Sequence, residues 1–188
     1  ASVVLNIAED HVDWHGSFER YKADKARVYE HTQVACIFNT DHVDTLRMVE
    51  NADVIEGARA IGFSSTEMPA VSMLGLAEDI MVDRAFLKNR YNEAYELAVL
   101  EDLAPAPGKM PAKHTVENAL AAAALCRAAD IDPKAVGAGL RSFKTGAHRN
   151  QLVGYANDIM WVNDSKATNP HAANASMSGY PSLVWIAG

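Results

Sequence analysis

The sequence predicts an α/β fold with parallel strand pairing. Two observations carry this. From residue 2 to residue 63, short β-branched or apolar runs alternate with helical patterns, the rhythm of a layered α/β unit. After about residue 150 the same rhythm restarts. Composition agrees: 49% of the 188 residues are apolar and 22% are charged, enough to build a core and too little charge for disorder.

The first strand is Ser2–Asn6, a run too apolar for an exposed edge. Ser17 suits a helix N-cap, with Glu19 in the first turn, and predicts a helix from Ser17 to about Thr32. Val34–Phe38 follows as a strand. A helix over Asp41–Glu50 should bury Val43, Leu46 and Val49, and Ala58–Phe63 is the third strand. Residues 64–113 break the rhythm. Val71–Leu76, Ile80–Val82 and Leu97–Leu100 are read as an antiparallel meander on the rim of the sheet, with Tyr91–Leu100 also open to a helical reading. The proline-rich stretch Pro105–Pro111 is a stiff loop.

His114–Asp130 is the clearest helix. It is apolar nearly all round and should be buried on several sides. Pro133 at the first helical position opens another, to about Phe143. Strands follow near Gln151–Tyr155 and Ile159–Val162, joined by an Asn157-Asp158 hairpin cue, then a helix over Pro170–Ser178 and a last strand over Leu183–Gly188. A domain boundary is expected near Ala147–Asn150, dividing 1–148 from 149–188. Core strands at both ends suggest a piece of a longer protein.

The net charge of −7 argues against nucleic acid as a partner. It is uneven. Residues 1–113 hold 19 acidic and 11 basic side chains, while residues 114–188 hold 5 and 6, so the second part meets an anion without a like-signed field. No apolar run approaches the ~18 residues of a membrane span. The two cysteines, Cys36 and Cys126, form no CxxC site and fit a reducing compartment.

Five constellations could carry chemistry. Asn6, Glu9, Asp10, His11, Asp13 and His15 crowd the end of the first strand, where α/β proteins place ligands. They read as a solvated acidic loop, a metal loop, or, through His11, Asp13 and His15, a zinc hydrolase site. Lys25 falls within about 20° of Phe18 at about 100° per residue, inside the arc of Phe18, Tyr21, Val28 and Tyr29. A lysine there either snorkels or is paired or modified. Asn118 is placed in the first turn of the alanine-rich helix, as helix support or a ligand contact. Arg149, in Ala147-His148-Arg149, is a surface residue or a phosphate contact. Asn163-Asp164-Ser165-Lys166-Ala167-Thr168-Asn169 follows a strand and is more polar than helix capping requires. Its groups suit ribose hydroxyls, phosphate oxygens and a carboxylate. No G-x-x-x-x-G-K-[ST] loop is present.

In this order, the His11-Val12-Asp13 stretch, Tyr21–Lys25, Asn118–Ala122, His148-Arg149 and Asn163–Asn169 resemble the Mur ligases of bacterial cell-wall synthesis. The last motif resembles the branch of that family that adds D-glutamate. The resemblance covers most of the chain and is weakest over residues 45–110. It implies the later part of a P-loop-type central domain and the start of a Rossmann-like C-terminal domain. It also implies a cytoplasmic, monomeric parent that joins D-glutamate to UDP-N-acetylmuramoyl-L-alanine using ATP and Mg2+, in peptidoglycan synthesis and hence cell shape and division. The reaction would pass through an acyl phosphate.

By the same resemblance, His11 helps hold Mg2+, and Lys25, as a carbamate, is a metal ligand and catalytic group. Asn118 contacts adenine, Arg149 and Asp164 contact ATP, and Lys166 is catalytic beside the phosphoryl groups. Thr168 meets D-glutamate, with Ser165 also on the substrate side. Thr115 stands where the family often has Asn, and Ala147 where it often has Pro. With the P-loop missing, this chain alone is expected to be inactive. A folylpolyglutamate-type ligase is the near alternative, which the Asn163–Lys166 segment disfavours.

Overall fold

A computed structural model describes residues 1–10, 12–105 and 110–187. A six-stranded sheet runs in chain order from β1 (Ser2–Val4) through β2 (Ala35–Asn39), β3 (Arg59–Phe63), β4 (Met73–Ala77) and β5 (Ile80–Asp83) to β6 (Tyr95–Val99). The first four strands are parallel and the last two pairings antiparallel, so the expected rim meander is present. Tyr95–Val99 is a strand, which excludes the helical reading of Tyr91–Leu100.

Every residue of β2 is buried, as in a parallel strand covered on both faces. On one face, Ala35, Ile37, Ile61, Phe63 and Leu74 pack with α4 (Lys113–Ala128) and α5 (Pro133–Ser142). On the other, Val4, Cys36, Met48 and Tyr29 form a smaller cluster. The fully buried Tyr29 hydroxyl accepts from the Val4 N–H at 3.0 Å and donates to the Ile37 carbonyl at 2.6 Å, tying β1 to β2. Burial pushes that phenol well above its usual range. α4 buries Val116, Glu117, Leu120 and four alanines, because its small side chains let it lie close over the sheet. α5 comes closer still to β6: a Cβ at Gly137 would collide with the Leu97 carbonyl.

Three expected elements differ. The helix from Ser17 is α2 (Phe18–Ala26), followed by a 3-10 turn over Arg27–Tyr29, rather than one helix to Thr32. Ser17 is its N-cap, accepting from the Arg20 N–H at 3.2 Å. A four-residue helix, α1 (Val12–His15), precedes it. In α3 (Val43–Glu50) the buried residues are Thr45 and Met48, while Val43 is 59% exposed and Leu46 38%. The Thr45 hydroxyl donates back to the His42 and Asn39 carbonyls, which turns that face inward. Leu183–Ala187 form no strand, and Val184 is 91% exposed; the run pairs with neither sheet.

The second sheet holds two strands, β7 (Gln151–Ala156) and β8 (Ile159–Asn163), and pairs with no strand of the first. Its turn is the expected one. Asn157 and Asp158 have φ of 52° and 61°, the left-handed pair that closes a two-residue hairpin. α6 (Pro170–Met177) follows and touches α4.

Candidate functional site

Side chains gather where the parallel strands end. After β2, Asn39 and Asp41 meet Ser64, Ser65 and Thr66 after β3, and Lys113 and Glu117 from α4 complete the group. Asp41 Oδ1 accepts from the Ser64 hydroxyl at 2.7 Å and the Thr66 hydroxyl at 2.9 Å. Lys113 Nζ lies 3.8 Å from Asp41 and 3.5 Å from Glu117. Burial alone would raise the Asp41 carboxyl, but these hydroxyl donors and the Lys113 charge outweigh it and hold it below the usual carboxylate range. Asn39 is fully buried; its side-chain oxygen accepts from the Asp41 N–H, while its amide nitrogen has no partner among the described residues. The sequence reading missed this network. Its local trace was two polar runs, Asn39-Thr40-Asp41 and Ser64-Ser65-Thr66, each directly after a buried strand.

The second group lies between the start of β7 and the end of β8. His148 and Asn150 both adopt left-handed φ, 63° and 48°, on either side of Arg149. Such conformations persist only where surroundings hold them, and here the holds are explicit. The Asn150 N–H donates to Asp164 Oδ1 at 2.7 Å, and Asn150 Oδ1 accepts from the Tyr180 hydroxyl. The His148 N–H donates to Gln151 Oε1 at 2.9 Å, and its carbonyl accepts from the Lys166 N–H at 3.1 Å. The Ser165 N–H donates to Asn163 Oδ1 at 3.1 Å. Arg149, Ser165, Lys166 and Thr168 are exposed on this turn. Neither Arg149 nor Lys166 has a side-chain hydrogen bond or ion pair among the described residues, so both cations are available to an anion.

The structure thus brings Arg149, Asp164, Ser165 and Lys166 together, with Thr168 just beyond. It also joins this segment to the first constellation, since Asn169 Nδ2 donates to Asp10 Oδ2 at 3.0 Å. Asn118 does not lie in the first turn. α4 starts at Lys113, which puts Asn118 one turn in and exposed, outside the unsatisfied N–H groups.

Lys25 is exposed, not on an inward-packing stripe. The helix ends at Ala26, so Val28 and Tyr29 do not continue its wheel. The ammonium sits 5.4 Å from the Tyr21 ring centroid, a cation–π contact. His11 lies outside the described residues. Asp13 and His15 are two apart on a helix and point to different sides. His15 Nδ1 is 2.8 Å from Asp24 Oδ2. Asp13 and His15 alone make no ligand set for the zinc hydrolase reading, whose His11 lies outside the described residues, and no group of three or more His, Cys, Asp or Glu side chains suited to a metal occurs among the described residues.

A model of the Mur ligase middle domain matches residues 1–126. The chain belongs to the Mur ligase family. Curated relatives of this Mur ligase chain extend over all of it. The UDP-N-acetylmuramoylalanine–D-glutamate ligase of Leifsonia xyli subsp. xyli is 52% identical over 188 residues, covering 100% of this chain and 36% of the relative. The ligase of the same name from Streptomyces avermitilis is 50% identical, covering 100% and 39%. The chain therefore spans little more than a third of these relatives' length. Among solved structures, MurF from Acinetobacter baumannii superposes with a TM-score of 0.59 at 16% identity, over 94% of this chain and 36% of that one. A likeness at that identity speaks for the Mur ligase fold alone. Among the described residues, no helix is long and apolar enough to cross a membrane.

Proposed function

We propose that the whole protein containing this chain joins D-glutamate to UDP-N-acetylmuramoyl-L-alanine with release of ADP and phosphate, in the cytoplasm and as a monomer. The observation that carries this reading is the 52% identity, along the full chain, to a relative bearing the name of that ligase. The division into residues 1–148 of a central domain and 149–188 of a C-terminal one belongs to the same proposal, supported by the separate β7–β8 sheet. So is a role for Asn118 at the adenine.

The turn suits the chemistry proposed for it. Activating a carboxylate as an acyl phosphate spreads negative charge over the transferring phosphoryl oxygens, and the amine then displaces phosphate. Arg149 and Lys166, unpaired among the described residues, offer two cations for that charge. Asp164, held by the Asn150 N–H, has its second oxygen left for a ribose hydroxyl or for orienting a cation. Magnesium would neutralise further phosphate charge when bound, but the described residues do not themselves assemble its ligands.

The test is product formation by the whole protein with ATP and UDP-N-acetylmuramoyl-L-alanine. ADP release that requires D-glutamate, and not another amino acid, supports the reading; release indifferent to D-glutamate overturns it. Thr168→Ala is expected to raise the KM for D-glutamate several-fold and more than the KM for ATP, since Thr168 is exposed beyond the Lys166 turn. Lys25→Ala should lower kcat at least about tenfold, with formate or acetate restoring part of it if a carbamate is what is lost. Near-normal activity in steady-state assays would leave Lys25 as a surface lysine resting on Tyr21.

A further inference from the structure

Asn169 does two things at once. Its Oδ1 accepts from the Ala172 N–H at 2.8 Å and caps α6. Its Nδ2 donates to Asp10 Oδ2 at 3.0 Å, across 159 positions of sequence and in a partly buried setting. Capping needs only the oxygen, which Ser, Thr or Asp supply as well. Of the preferred cap residues, only asparagine carries an amide donor beside that acceptor. The contact with Asp10 therefore explains why an amide stands here.

The other end of α6 is fixed differently. Ser176 is buried, and a Cβ on Gly179 would lie only 3.0 Å from the Ala112 Cβ, so that end meets the start of α4 by close packing. The Asn169 end is held by a hydrogen bond, which solvent can replace far more readily than packing.

We infer that the Asn169 amide and the Asp10 carboxylate form a latch that sets the Asn163–Thr168 turn against the loop following β1. Asn169 is a positioning residue: it acts through the turn bearing Lys166 and Thr168, and the inference rests on the ligase reading above. With the latch open, the cations of the turn and the loop after β1 lose their fixed separation, and the reacting groups lose alignment.

Three variants of the whole protein test it. Asn169→Ser keeps the cap and removes the donor. Asn169→Asp keeps the cap and sets a second carboxylate against Asp10. The double variant Asp10→Asn with Asn169→Asp exchanges donor and acceptor. Expected are a kcat loss of about tenfold for Asn169→Ser, and of about a hundredfold with a lowered Tm for Asn169→Asp. The double variant should recover both Tm and at least about tenfold in kcat over Asn169→Asp, because coupled partners do not add. KM for ATP should move less than kcat.

Asn169→Asp with wild-type kcat and Tm, or a double variant no better than that single one, overturns the latch and leaves Asn169 as a cap. Recovery of Tm without kcat overturns the positioning role. Should the wild type show no D-glutamate-dependent ADP release, the ligase reading fails instead, and the melting comparison still decides whether the latch exists.

Discussion

Asp83→Ala is expected to destabilise the protein by about 3–5 kcal/mol, the cost of stranding a buried charge. Asp83 ends β5 and is fully buried. Its Oδ2 accepts from Arg127 Nε at 2.9 Å, while Oδ1 accepts from the Ala85 and Phe86 N–H groups at 2.7 and 2.9 Å. Arg127, near the end of α4 and 9% exposed, also donates to the Phe86 and Ile131 carbonyls. One carboxylate thus closes the turn after β5 and holds the last turn of the helix that covers the sheet. Alanine removes three acceptor contacts and leaves the guanidinium without its anion. Asp83→Asn keeps an oxygen for the turn and should cost less. Urea and thermal unfolding of the whole protein measure both variants. An alanine variant within about 1 kcal/mol of wild type would show that water reaches Arg127 and that the pair contributes little.

That pair shows where sequence reading stops. Asp83 and Arg127 are 44 positions apart, and nothing local marks either as a partner. The same holds for Asp41, whose hydroxyl donors come from the next strand end. What was legible had a local cause. The alanine-rich helix is apolar from Ala119 through Cys126, Pro133 takes the first helical position, and Asn157-Asp158 can adopt left-handed φ without a glycine. The Asn163–Asn169 segment was legible because its polarity exceeds what a cap needs.

Failures came from extending local rules past their range. The wheel that put Lys25 inside assumed one helix through Tyr29, but the chain tightens to a 3-10 turn after Ala26, and the residues that bury are Tyr21 and Tyr29. In α3 the apolar arc is read from Val43, Leu46 and Val49; Val49 does pack against the smaller cluster, but Thr45 also turns inward because its hydroxyl finds two backbone carbonyls. Leu183–Ala187 has the composition of a core strand but pairs with neither sheet. That run and the exposed Val153, Tyr155, Ile159 and Trp161 on the hairpin are apolar surface that the proposed C-terminal domain would cover.

Lys166→Met should lower kcat in the whole protein by about a hundredfold to a thousandfold, the usual cost of removing one group aimed at charge that develops in a transition state. Methionine keeps most of the aliphatic length and removes the cation, so packing changes little. The backbone that aims Lys166 does not depend on its side chain. Its N–H is bonded to the His148 carbonyl, and the Ala167 N–H closes the turn onto the Asp164 carbonyl at 2.9 Å. The ammonium itself is exposed and makes no ion pair among the described residues. Little stability is therefore at stake, and Tm should stay near wild type. A cation that meets only the transferring phosphoryl group lowers kcat and kcat/KM together when lost, whereas one that binds ground-state ATP raises KM with kcat kept. The first pattern is expected. Lys166→Arg should restore only part of the rate, because a planar guanidinium cannot reproduce a point charge on a flexible stem. Steady-state kinetics with ATP varied at saturating D-glutamate separates these patterns. A raised KM for ATP at unchanged kcat would move Lys166 from the reacting phosphoryl group to nucleotide binding.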